Sequence, residues 1–165
     1  MLQRPRRNRK SAAVRGLTEE IQLLPQHLVQ PLFLVDGKNK SNAIKSLPGM
    51  SQLSIDNALK EIESCLKVGV NSFILFPAVE ESLKNKTASY SYSAKNFYLK
   101  AIAEFKKKFP ECCLISDIAM DPYSSDGHDG YVENGKIVND KTLPILAKMA
   151  LAQANAGIDI LGPSD

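Results

Sequence analysis

Asp117, Asp121, Asp126 and Asp129 fall within thirteen positions, with His128 among them and Gly127 and Gly130 flanking the His-Asp pair. Carboxylates at this density serve three kinds of chemistry: they ligate hard cations, hold a cationic substrate, or move protons beside it. Residue types alone leave open whether these groups hold a metal, a substrate or only one another. The two glycines let the backbone turn tightly and approach a ligand closely. His128 by itself reads as a loop hydrogen-bonder, and Tyr123 as a packing residue. Upstream, Cys113–Ile118 is a short apolar run. A strand that opens into a polar, glycine-bearing loop is how an α/β protein presents chemistry at the carboxyl edge of its sheet.

The remaining elements must hold that loop in place. Pro31–Val35 is a continuous apolar run closed by Asp36-Gly37, which predicts a strand buried on both faces. Phe73–Phe76, ended by Pro77, predicts a second strand, Cys113–Ile118 a third and Ile158–Leu161 a fourth. Between them, Ser54 caps a helix in which Ile55, Leu59, Ile62 and Leu66 recur at helical spacing, with Gly69 as its stop. A second helix, capped by Ser93, turns Phe97, Ala101, Ile102 and Phe105 to one side. Lys106, Lys107 and Lys108 complement the dipole of its last turn before Pro110. A third, capped by Asn139 or Asp140 and ended by Gly157, carries Leu143, Leu146, Ala147, Ala150, Leu151 and Ala154. Residues 80–92 read as a long polar loop, and Asn134-Gly135 as a hairpin turn. Strands alternating with helices imply a parallel sheet with right-handed crossovers. Two α/β architectures fit: a complete doubly wound domain, or the first four strands and three helices of a TIM (β/α)8 barrel, whose usual length is about 250 residues. The last strand has no covering helix and exposes a pairing edge, so the half-barrel is the expectation.

A chain of 165 residues suits one domain with a real core, and no apolar run approaches the roughly 20 residues of a membrane span. The N-terminus has no apolar stretch behind its charges, so no secretory signal is expected. Cys65, Cys112 and Cys113 show no CxxC or metal-finger spacing and read as reduced thiols in a cytosolic setting. Residues 1–16 hold Arg4, Arg6, Arg7, Arg9, Lys10 and Arg15 and no acid; they read as an extended basic arm ahead of a body at 17–165. These six bases exceed the net charge of +3, so the body is acidic. Such an arm suits nucleic acid or a neighbouring subunit; the acidic body and the lack of interleaved aromatics disfavour nucleic acid.

Motifs along the whole chain resemble one family. Arg4-Pro-Arg-Arg-Asn-Arg9, Gln30-Pro-Leu-Phe-Leu-Val35, Ser46-Leu-Pro-Gly49 and Leu75-Phe-Pro77 are similar to its arm, first strand, first turn and second strand end. More specific are Ser116-Asp-Ile-Ala-Met-Asp-Pro-Tyr123, Asp126-Gly-His-Asp-Gly130 and Gly162-Pro-Ser-Asp165. The family is delta-aminolevulinic acid dehydratase (porphobilinogen synthase), and the chain resembles its amino-terminal half. The resemblance implies a cytoplasmic, homo-oligomeric TIM-barrel lyase, typically an octamer wrapped by the arm. Such an enzyme condenses two molecules of 5-aminolevulinate into porphobilinogen with loss of water, in heme biosynthesis. Neither nucleic acid nor a membrane is then a partner.

The resemblance also implies roles. Asp117 is the strand-end aspartate that orients a substrate amine or assists proton transfer, and Ser164 and Asp165 lie beside the substrate. In the zinc-using branch, three cysteines stand where this chain has Ala119, Asp121 and Asp129. Thiolates select zinc, whereas carboxylates prefer magnesium and other hard cations. No active-site zinc is therefore expected. Asp121 and Asp129 either bind a hard cation such as magnesium or act through hydrogen bonds without a metal. The family's two Schiff-base lysines belong to the second half of the barrel, and no lysine here takes a matching position. The expectation is half of an active site that forms no porphobilinogen alone. The alternative is a stand-alone α/β module that binds a divalent cation or another ligand at the aspartate loop.

Overall fold

The computed structural model describes residues 6–164, so Arg4 and Asp165 lie outside the described residues. In chain order the elements are α1 (Ala12–Thr18), β1 (Val29–Val35), β2 (Ser41–Ala43), β3 (Ser51–Leu53), α2 (Ile55–Lys67) and β4 (Ser72–Ala78). There follow α3 (Phe97–Lys108), β5 (Cys113–Ile118), β6 (Val132–Glu133), β7 (Lys136–Ile137), α4 (Asn139–Ala156) and β8 (Ile160–Pro163). Strands β1, β4, β5 and β8 are parallel neighbours in the order in which the chain makes them. Each crossover therefore steps the same way along the sheet, and a right-handed crossover then puts every helix on the same face.

Side-chain burial agrees. Leu32 and Leu34 of β1, Phe73 and Leu75 of β4 and Leu114 of β5 are buried in one cluster with Ala58 and Ile62 of α2 and Phe97, Ala101, Ile102 and Phe105 of α3. Ile118, on the same face of β5, packs with Met149 and Ile145 of α4. Alternate residues point the other way. Pro31, Phe33 and Val35, Ile74 and Phe76, and Ile115 and Asp117 are only half-buried, in contrast to the expectation of strands buried on both faces. Phe33 and Phe76 stack on that open face, with centroids 5.4 Å apart.

Local signals held in several places. Asn134 and Gly135 both have positive φ, 51° and 71°, and join β6 to β7 as the two-residue turn their types favour. Gly69 and Gly157 take positive φ at the ends of α2 and α4.

Other expectations need correction. Asn96, not Ser93, caps α3, because its side chain accepts the Tyr98 N–H at 3.0 Å. Ser54 precedes α2 but does not cap it with its side chain; its hydroxyl donates to Asp56 at 2.7 Å and accepts the Lys40 N–H at 2.9 Å. The fourth strand lies two residues later than expected. An antiparallel pair, β2 with β3, extends the sheet beside β1; three-residue strands carry too little periodicity to be read. The arm is not wholly extended: Ser11 accepts the Val14 N–H and starts the helix α1. The buried stripe of α4 is Thr142, Ile145, Met149 and Gln153, while Leu143 and Leu151 are exposed. That helix is apolar nearly all round, so its periodicity names no single face.

Candidate active site

The carboxyl ends of β1, β4, β5 and β8 open at one edge of the sheet, and the candidate residues gather there. Asp117 is the penultimate residue of β5, half-buried on the open face. Its register partner in β8 is Gly162, where an added Cβ would stand 3.0 Å from the Ser116 carbonyl, so the two strands approach closely. Two residues on, the Ser164 hydroxyl donates to Asp117 Oδ1 at 2.6 Å. A serine and an aspartate 47 residues apart in sequence thus become one unit at adjacent strand ends.

The loop after β5 is anchored by apolar and backbone contacts. Met120, Tyr123 and Ser124 are buried. Asn85, from the loop after β4, donates its N–H to the Tyr123 carbonyl at 3.1 Å, and its own carbonyl accepts from Ser125 at 3.3 Å. Tyr123 packs as expected, with its hydroxyl accepting from Asn96 at 3.3 Å; burial pushes its ionisation well above the ordinary phenol range. His128 is exposed, and its Nδ1 accepts the Asp129 N–H at 2.9 Å, which is the loop role read from sequence.

Asp121 and Asp129 are exposed on this rim. The Asp121 carboxyl ionises less readily than usual. Loss of water on its packed side is the main cause, the charges of Asp129 and then Asp117 add to it, and its own N–H and Lys84 pull weakly the other way. The exposure of Asp121 and this desolvation describe its two sides: solvent outside, packed loop within. Asp121 is near enough to both Asp129 and Asp117 to be repelled by them. Among the described residues, however, no three His, Cys, Asp or Glu side chains converge as metal ligands. The donor chemistry suits a hard cation of the kind that keeps most of its waters and takes one or two carboxylates.

A cleft of about 470 Å³ runs along the open face beneath the rim. Phe33, Phe76 and Pro77 form its apolar side, and Gln52, Lys84, Asp117 and Asp121 its polar one. Lys84 was missed in the sequence, where it sat in a polar loop with other lysines. Here its side chain is only 18% exposed and its ammonium meets Glu81 at 2.5 Å. The cleft therefore combines acidic acceptors, a lysine held by Glu81 and an aromatic floor.

Fold and site together define an α/β protein, mostly parallel in its sheet, that collects polar chemistry at the strands' carboxyl ends. The family model for delta-aminolevulinic acid dehydratase matches residues 2–165, and the chain belongs to that family. The Chlamydia pneumoniae delta-aminolevulinic acid dehydratase is 46% identical over 98% of this chain and 49% of its own length. The chloroplastic enzyme of Selaginella martensii is 46% identical over 98% of the chain and 39% of its own length. The crystal structure of the Toxoplasma gondii delta-aminolevulinic acid dehydratase (porphobilinogen synthase), in complex with the reaction product porphobilinogen, superposes with a TM-score of 0.95 at 45% identity. It is covered over 100% of this chain and 47% of that one. The chain spans about half the length of the curated relatives it matches.

Proposed function

We propose that this chain forms the amino-terminal half of a porphobilinogen synthase barrel and carries the carboxylate side of its active site. The observation that carries the reading is the Asp117–Ser164 pair at adjacent strand ends, set in a cleft whose fold matches an enzyme bound to porphobilinogen. Placement of the helices on one face supports a half-barrel, since a doubly wound sheet covers both. In this reading the Asp117 carboxylate, held at Oδ1 by Ser164, accepts hydrogen bonds from the amine of 5-aminolevulinate or takes a proton from it. The resemblance assigns Asp165 to the substrate as well. The Phe33–Phe76 stack packs against the aliphatic chain. Asp121 and Asp129 act as charged hydrogen-bond acceptors on the rim, or hold a hard cation such as magnesium that keeps most of its waters.

Condensation also needs the Schiff-base lysines that the family resemblance places in the second half of the barrel. The arm docks on a neighbouring subunit of a homo-oligomer, a role supported by the exposed Leu17, Ile21 and Leu23 in the segment that follows it. No helix among the described residues is long and apolar enough to cross a membrane. A cytosolic setting is favoured by the three free thiols.

The test is complementation. This chain alone, given 5-aminolevulinate, should form no porphobilinogen and trap no substrate on borohydride reduction. Mixed with the carboxy-terminal half of the Chlamydia pneumoniae relative, it should form porphobilinogen, and Asp117→Ala should abolish that. Borohydride labelling of a lysine in the isolated chain, or full activity of the Asp117→Ala mixture, would overturn the reading.

A further inference from the structure

We infer that Gln153 is a positioning residue for Asp117, required because Pro77 removes the rung that would otherwise hold the Asp117 peptide. The parallel register of β4 and β5 pairs Ser72 with Cys113 and ends at Leu75 with Ser116. In such a ladder every second residue of one strand donates its N–H to the carbonyl preceding its partner and accepts from the N–H following it. Here the Asn71 carbonyl accepts from Cys113, so the alternate positions 73, 75 and 77 face β5. Continued by two residues, the register would have residue 77 donate to the Asp117 carbonyl. Residue 77 is proline and has no N–H to give. The carbonyl would be left unpaired in a part-buried seam, at the full desolvation cost of that group.

Gln153 takes the vacant rung. Its Nε2 donates to the Asp117 carbonyl at 3.1 Å from α4, 36 residues away. The side chain is 1% exposed and stands in the buried stripe of that helix, and its Oε1 has no partner among the described residues. An apolar residue there would pack without this penalty. A buried amide with one unmet acceptor is kept at a cost in stability, and what it gains is contact with the peptide of the site aspartate. The Asp117 backbone is also tied to α3. The buried Tyr98 hydroxyl donates to the Leu75 carbonyl at 2.9 Å, at the last rung, and the Asp117 N–H faces that Tyr98 hydroxyl. Asp117 thus stands where β5 leaves β4, steadied by side chains of two helices while Pro77 lines the cleft. This inference rests on the proposed reading only in treating Asp117 as an active-site group.

Gln153→Met keeps the volume and removes the donor. In this chain, carbon-13 spectra should show the Asp117 backbone carbonyl moving upfield and its carboxyl carbon shifting as the Ser164 bond loosens. Ile62→Val, a core change in α2 remote from Asp117, should move neither signal. Adding Pro77→Ala to Gln153→Met supplies a backbone N–H at the vacant rung and should return the carbonyl signal toward the parent's. In the complemented assembly, Gln153→Met should lower kcat about tenfold, the factor set by the net worth of one hydrogen bond, with KM little changed. Unchanged Asp117 signals in Gln153→Met, or equal movement in Ile62→Val, would sink the inference. A silent assembly removes the assigned reaction instead, and the spectra then decide the role of Gln153 on their own.

Discussion

Asp159 holds the start of β8 to β5, and its removal should have a calculable cost. One carboxylate oxygen accepts the Leu114 N–H at 2.8 Å, and the Lys106 ammonium lies 2.8 Å from each of the two oxygens. The same ammonium donates to the Cys112 carbonyl at 2.8 Å and the Pro110 carbonyl at 3.1 Å, and the Asp159 N–H pairs with the Leu114 carbonyl at 3.0 Å. Asp159→Ala leaves the Leu114 N–H unpaired, a loss of about 1–3 kcal/mol in a part-buried strand. The ion pair adds less, because its side chains are 27% and 34% exposed and solvent screens them, leaving below about 1 kcal/mol. A total of about 2 kcal/mol lowers Tm by about 4–8 °C in a domain of this size.

Asp159→Asn keeps an acceptor for Leu114 and loses only the charge, so its drop should be smaller. Burial pushes the Asp159 carboxyl up, but the Leu114 N–H and Lys106 outweigh burial and hold it below the usual range. A depressed folded value means the charge stabilises the fold above the unfolded pKa of about 3.9, and that share is lost as pH falls through the folded value. Thermal melts followed by circular dichroism should therefore show parent and Asp159→Asn converging at acid pH. Equal melting of Asp159→Ala and parent at pH 7, or an Asp159→Asn gap that does not narrow on acidification, would refute this account of β8.

Asp121→Asn should stabilise the fold at neutral pH, by less than about 1 kcal/mol given its solvent contact. Its folded carboxyl is raised, so ionisation costs stability as pH rises through that value, and the advantage of the variant should vanish in acid melts. Gly157→Ala forces a side chain into φ 101°, with Lys106 Cγ 3.5 Å from the new Cβ leaving room. The cost is therefore backbone strain of about 1–2 kcal/mol, read as a drop in urea midpoint without change in slope.

The strand cores, the 134–135 turn and the two helix-ending glycines were legible because each signal is local. Apolar runs, an Asn-Gly pair and a glycine after a helical stripe act on their own neighbours. The face of α4 was not legible, since apolar residues surround that helix and only the sheet it meets selects Ile145 and Met149. Lys84 looked like any loop lysine until the loop after β4 folded over the cleft. The aspartate loop was visible as chemistry, but its geometry was not: Asp117 and Asp121 line the cleft while Asp129 stands exposed on the rim.

Sequence alone determined where the parallel strands fall, to within two residues, and which family the motifs resemble. Tertiary structure decided that α2, α3 and α4 share one face, that Ser164 locks onto Asp117, and that Gln153 fills the rung Pro77 denies. Those depend on strand register and on the distance between elements far apart in the chain. Residue type restricts such contacts, but only the folded sheet brings their atoms within bonding reach.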